Sequence, residues 1–122
     1  MDTKNRTKYI LNNGGILYKN RFVLEVVKAY LKKKPSDFSV LNEVFYKDLQ
    51  VDSTGVINKL EDVLQKYNKH KNKRHFIKDS EILKSNDGIK FVVSTEWNII
   101  NVQNIVEIAK KEGFEVIEVL KK

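Results

Sequence analysis

Cysteine is absent from this chain and proline is nearly so: its 122 residues include no cysteine and one proline. The lack of cysteine excludes a disulfide framework, a thiol nucleophile, a thiolate zinc site and an iron–sulfur cluster. It is also typical of a reducing compartment, so we expect a cytoplasmic location. One proline and five glycines exclude collagen-like and low-complexity chains.

Long apolar runs are missing as well. No stretch approaches the roughly 20 apolar residues that a membrane helix needs. The first residues, Met-Asp-Thr-Lys-Asn-Arg-Thr-Lys, are followed by no apolar segment of the kind found in signal peptides. We therefore expect no membrane association. The chain is 41% hydrophobic and 10% aromatic, which is enough for a core, and its length predicts a single domain over residues 1–122.

Arginine is scarce, with three residues in the chain, yet the net charge is +7. The charge is distributed unevenly along the chain. Residues 1–34 carry +7 and residues 66–78 carry +6, whereas residues 35–65 carry −4 and residues 79–122 carry −2. The positive charge is thus concentrated in two segments that an acidic segment separates.

The segment 66–78 has six cations and no acid, interleaved with aromatic and amide side chains. Cations release counterions from a polyanion, and aromatic and amide groups can stack on or hydrogen-bond to bases. Because lysine dominates, the pattern favours contacts with the phosphate backbone over base recognition by arginine. The alternatives are a surface for an acidic protein and a solvated loop. The candidate nucleic-acid-binding residues are Lys66, Tyr67, Lys69, Lys71, Lys73, Arg74, His75 and Lys78.

The first half of the chain predicts an arm or hairpin followed by three helices. Asn-Asn-Gly-Gly at 12–15 is a turn signal within an N-terminal arm or hairpin spanning residues 1–19. Apolar spacing predicts helices over 20–33, 38–47 and 55–67 within a helical part at 20–67. Asp37 or Ser36 can cap the second helix, and Ser53 or Thr54 can cap the third.

The second half, residues 75–120, predicts a sheet with one helix. Apolar runs at 75–78, 81–84 and 89–94 are typical of strands, with Asp87-Gly88 as the centre of a hairpin. A helix over 100–112, capped by Asn98 or Asn101 and ended at Gly113, precedes a closing strand over 114–120. The succession from 89 to 120 is βαβ-like and favours a parallel closing strand, with an antiparallel one as the alternative.

The predicted fold is therefore α+β, with an N-terminal three-helix half followed by a β-hairpin, one helix and a closing strand in a small sheet. This order resembles a winged helix-turn-helix, with the wing at 81–94. The resemblance implies a third helix in the DNA major groove. Glu61 and Asp62 make that helix acidic, so the basic charge lies at its end and beyond rather than along it.

A second resemblance is carried by two runs, RFVLEVVKAYLKKKPSDFSVLNEVF and FVVSTEWNIINVQNIVEIAKKEGFEV. They resemble an uncharacterised bacterial domain of restriction or mobile-element proteins. The resemblance implies a setting of genome conflict, such as a phage or a mobile element, and implies no reaction.

Few residues offer catalytic or metal chemistry. His70 and His75 are five residues apart, which suits neither one helix face nor one strand face, so we expect no metal site and no cofactor. A metal-free ribonuclease could draw on both histidines with Arg74 and Lys71. Trp97, the one tryptophan, indicates a plug over the end of the sheet or, with Tyr46, an exposed anchor for a partner.

Taken together, these patterns predict a small non-catalytic protein that binds DNA or RNA mainly through the phosphate backbone. The first alternative is an inhibitor of a nucleoprotein complex, of the kind that anti-CRISPR proteins represent, which would use the same basic surface. The second alternative is a small basic ribonuclease toxin that needs no metal.

Overall fold

A computed structural model describes residues 7–49, 55–70 and 74–119, with the side chains of 67–70 excepted. Within these ranges the chain is α+β, with four α-helices and two three-stranded sheets. The strands are β1 (Lys8–Leu11), β2 (Ile16–Leu17), β3 (Ile57–Lys59), β4 (Leu83–Lys84), β5 (Lys90–Val93) and β6 (Val116–Val119). The helices are α1 (Lys19–Lys33), α2 (Phe38–Val44), α3 (Leu60–His70) and α4 (Ile99–Lys111). Short 3-10 turns occupy Lys47–Leu49 and Asp79–Glu81.

Both sheets are antiparallel throughout. The first has the strand order β2-β1-β6 and the second β3-β5-β4. The predicted parallel pairing of the closing strand with residues 89–94 is wrong. β6 instead pairs with β1, with Lys8 opposite Val119 and Leu11 opposite Val116. The helix α4 therefore carries the chain from the second sheet to the first rather than back along one sheet.

The helix α1 forms the centre of the core, as its apolar stripe predicts. Six of its residues are buried: Phe22, Val23, Leu24, Val26, Val27 and Tyr30. It contacts β1 and β2 of the first sheet, β5 of the second, and α4. Phe22 stacks on the inward-facing Tyr9 of β1, with ring centroids 4.6 Å apart. One helix thus joins the two sheets into a single hydrophobic core.

The expected three-helix N-terminal half is wrong, because the described chain starts with a strand pair and because β3 lies where the third helix was to begin. Residues 56, 57, 60, 63 and 64 have helical spacing, but Val56 and Ile57 are β-branched and pair beside β5. Ile57 lies opposite Val93, and the amide of Ser94 donates to the carbonyl of Val56 over 2.9 Å. The helix begins only at Leu60. The element order is therefore not that of a winged helix-turn-helix.

The N-terminal hairpin was one of two predicted options for the arm, and the structure has it. Asn12 and Asn13 take the positive φ values of its turn, 51° and 62°. Asparagine tolerates this region because its short side chain bonds to nearby backbone. Asn12 also accepts a hydrogen bond from the amide of Glu115 over 2.9 Å, which joins the turn to the start of β6.

The β4–β5 hairpin is confirmed, although its centre is one residue earlier than predicted. The amide of Gly88 donates to the carbonyl of Ser85 over 3.0 Å, which places Asn86 and Asp87 at the centre, and Gly88 follows with φ of 86°. Asp87 accepts a hydrogen bond from the amide of Phe38 over 3.0 Å. The turn therefore caps the start of α2, a role expected of Asp37 or Ser36. The Asp37 side chain makes no capping bond, and the Ser36 hydroxyl donates to the carbonyl of Lys34.

The ends of α4 follow the predicted signals. Asn98 Oδ1 accepts from the amides of Ile100 and Asn101 over 2.9 and 2.8 Å, and Gly113 has a φ of 85°. Two lysines at the end of α1 contact the C-terminal end of α4. Lys34 pairs with Glu112 over 2.7 Å, and Lys33 donates to the carbonyl of Glu112. Both cations thus lie at the C-terminal end of α4, which is the negative end of its dipole.

Candidate functional site

A polar cleft of about 310 Å³ opens beside the second sheet. Its walls come from α2, the turn at 47–49, β3 and α3. The lining residues are Phe38, Asn42, Lys47, Gly55, Ile57, Asn58, Lys59, Asp62 and Lys66. Segments that are distant in sequence therefore supply one concave surface.

Backbone conformation fixes the floor of this cleft. Gly55 has a φ of 79°, a region that residues with a side chain rarely adopt, and it turns the chain into β3. A Cβ at Gly55 would lie 3.6 Å from Lys47 Cγ and 3.9 Å from Asn58 Nδ2. The backbone thus passes close behind both side chains. Asp87, by capping α2, also fixes Phe38 at the opposite wall.

The lining carries three cations and one acid: Lys47, Lys59 and Lys66 against Asp62. Lys47, Lys66 and Asp62 are exposed, and Lys59 is half-buried. Lys59 Nζ lies 5.8 Å from the centroid of the Phe38 ring, within cation–π range. The cleft therefore presents a net positive charge, two amides and an aromatic wall, which is a set of groups suited to an anion with an attached planar group.

His75 lies behind the cleft rather than on the surface. It is 9% exposed, and its backbone forms an isolated antiparallel β-bridge with Ser94. Its Nε2 lies 3.0 Å from Asn58 Nδ2, so an amide that donates there requires the imidazole proton on Nδ1. Burial, with added repulsion from Lys66 and Arg74, lowers the pKa of His75 from 6.5 to about 4, although Glu96 opposes this shift. The ring is therefore neutral at pH 7 and holds the cleft-lining Asn58.

The structure brings part of the predicted basic segment to this region. Lys66 lines the cleft. Arg74 is half-exposed and lies 3.7 Å from Glu96, and its carbonyl accepts from the amide of Thr95 over 2.8 Å. Lys78 is exposed beyond the bridge. Of the remaining candidates, Tyr67 and Lys69 belong to the last turns of α3, and Lys71 and Lys73 lie outside the described residues.

The two candidate anchors have different positions. Trp97 is 6% exposed, and its indole N–H donates to the carbonyl of Ser94 over 2.9 Å. This position agrees with the plug and leaves little ring surface for a partner. Tyr46 is 50% exposed after α2, next to the cleft residue Lys47.

Four residues of the cleft escaped the sequence reasoning: Asn42, Lys47, Asn58 and Lys59. They lie in the segment 35–65, whose net charge is negative. A net charge summed over that segment does not reveal its two lysines. One signal was present, since Asp62 and Lys66 follow the i, i+4 spacing of one helix face, whereas Lys59 precedes that helix in β3. No sequence pattern brings Lys47 to the cleft, because the turn at 47–49 reaches it only in the folded chain.

Metal-ligand clusters and membrane-spanning helices are not found in the described part of the chain. Residues 7–49, 55–70 and 74–119 contain no group of three or more histidine, aspartate or glutamate side chains placed to hold a metal. Within the same ranges, no helix has the length and apolar character needed to cross a bilayer.

Comparison with known proteins does not identify this chain: no family model, curated protein or solved structure matches it.

Proposed function

We propose that this chain is a small non-catalytic nucleic-acid-binding protein that contacts mainly the phosphate backbone through its basic surface. One observation carries the proposal: Lys47 and Lys59, from an acidic stretch of sequence, converge with Lys66 on one cleft. Folding thus collects cations that the sequence separates. Lysines gathered in this way release counterions when they meet a polyanion.

The basic segment continues this surface. Lys66 and Arg74 both lie close enough to His75 for their charges to lower its pKa. Arg74 keeps about half of its side chain exposed despite Glu96. We call the three cleft lysines together with Arg74 the basic surface. A cytoplasmic location and a phage or mobile-element setting belong to the same proposal and rest on the sequence.

The non-catalytic part of the proposal is supported by His75. A metal-free ribonuclease needs an acid and a base that reach the substrate. His75 is buried against Asn58 and has a pKa near 4, which suits a structural role better than proton transfer at pH 7.

The test is the salt dependence of binding. Fluorescence anisotropy with labelled single-stranded and duplex DNA and RNA is measured between about 50 and 200 mM salt, where phosphate contacts dominate the slope. The variant K47A/K59A/K66A is expected to make the log–log slope shallower by about 0.7–0.9 for each phosphate that is no longer neutralised.

The matched control removes the same charge elsewhere, with K32A/K110A/K111A at the ends of α1 and α4, where all three lysines are exposed. We expect a much smaller change in slope for this control. Equal changes in both variants would show that only net charge matters. Wild-type protein with no salt-dependent affinity for any probe would refute the proposal.

A further inference from the structure

We infer that the cleft holds one unpaired nucleotide, so that the preferred ligand is single-stranded nucleic acid rather than duplex. The inference rests on the proposed function and adds the class of nucleic acid to it. Its basis is the size of the cleft and the kinds of groups that line it.

The volume sets the scale of the occupant. At about 310 Å³ the cleft lies at the lower end of the 300–1,000 Å³ typical of small-molecule sites. A site of this size accepts one nucleotide unit and cannot accept a base pair with its neighbours. A base must leave its stack and its partner to enter such a pocket, and this costs least in a strand that is already single.

The lining matches the parts of a nucleotide. Lys47 and Lys66 are exposed at the cleft, where they can hold the flanking phosphates. Phe38 supplies an apolar wall for a base, with Lys59 Nζ 5.8 Å from its ring centroid. Aromatic walls beside cations are the usual means of binding single strands without sequence preference.

The polar side chains between these groups can meet the edge of a base. Asn42 is exposed on α2, and the amide of Asn58 is held in place by the buried His75. The exposed amide of Asn42 offers both a donor and an acceptor, as base edges require. Asp62 is the single carboxylate of the lining, and it can accept from an exocyclic amine or a sugar hydroxyl while it disfavours a second phosphate within the cleft.

The experiment blocks the cleft without changing charge. Asn42→Trp fills it from an exposed position, so the core is left intact. The matched control is Val40→Trp on the same helix, which is 43% exposed and does not line the cleft. The probes are a labelled oligouridylate of about 10 nucleotides, within the usual site sizes for single strands, and the same strand annealed to its complement.

Wild-type protein is expected to bind the single strand at least about tenfold more tightly than the duplex, within the range that one stacked base supplies. N42W is expected to weaken single-strand binding by about that factor and duplex binding by much less, and V40W to behave as wild type. Equal or tighter binding of duplex, or equal effects of the two tryptophans, would overturn the inference while the salt slope of K47A/K59A/K66A still reports on the proposed function.

A second measurement separates a nucleotide from other anions. Uridine 5′-monophosphate is expected to shift the backbone amide NMR signals of Gly55 and Asn58 more than inorganic phosphate at the same concentration. Polyglutamate is expected to compete more weakly than oligouridylate. Equal shifts with phosphate, or equal competition by polyglutamate, would mean that the cleft recognises only negative charge, and the inference would fail.

Discussion

Acid is expected to destabilise this fold through one buried side chain, His75. Its pKa is about 4 in the folded protein and near 6.5 when unfolded. Between these values the unfolded chain binds a proton that the folded chain rejects, so the free energy of unfolding falls as the pH falls. The contribution of His75 to the free energy of unfolding is fully present above about pH 6.5 and is lost progressively down to about pH 4.

The magnitude follows from the two pKa values. Each pKa unit corresponds to about 1.4 kcal/mol, so the difference between 6.5 and 4 is worth about 3 kcal/mol. Solvent screening reduces this figure, so about 3 kcal/mol is the largest effect expected from His75. For a domain of this length we expect a fall in the melting temperature of at most about 10 °C from this residue alone.

The assay is urea unfolding at several pH values between 7.5 and 4.5, for wild type and for His75→Gln. The glutamine can still accept from Asn58 but takes up no proton, so the difference between the two stabilities should shrink or reverse as the pH falls. Carboxylates titrate in both proteins and cancel. His70→Gln, which removes the other histidine, is measured alongside as the matched control. A stability difference that stays constant across this range would falsify the argument.

Two further predictions concern single side chains. Tyr9 is fully buried, and its hydroxyl finds no hydrogen-bond partner within residues 7–49, 55–70 and 74–119, so Tyr9→Phe should raise the free energy of unfolding by about 1 kcal/mol, measured by urea denaturation. A lower midpoint would mean that the hydroxyl is bonded. Asn98→Ala should cost about 1 kcal/mol because two amides of α4 are left without their acceptor, whereas Asn98→Asp should cost little; equal losses in thermal melts of both variants would contradict the cap.

The features predicted correctly are those that depend on residues close together in the sequence. The stripe of α1, the Asn98 cap and the turn after Ser85 each depend on spacing or on local hydrogen bonds. The errors concern choices made by distant partners. Val56 and Ile57 fit a helix by spacing, and only β5 beside them makes them extended.

The same reason limits prediction of the candidate site. Lys66 was identified because cations surround it in the sequence. Lys47, from the 3-10 turn after α2, and Lys59, from β3, join it only in the folded chain. There Phe38 of α2 lies beside Lys59, and the amide of Phe38 donates to Asp87 of the hairpin turn. His75 was expected on the basic surface because its neighbours are charged, but pairing with Ser94 places it inside.

The pairing of β1 with β6 has a consequence for how the protein is made. Residues 8–11 leave the ribosome early, but the strand that covers one of their edges comprises residues 116–119. During most of synthesis β1 therefore has β2 on one side and an unsatisfied edge on the other, a template for pairing with other chains. Completion of the first sheet must wait until residues 116–119 have been synthesised. A nascent polypeptide stalled before Val116 is thus a substrate for chaperones or proteases rather than a partly working protein.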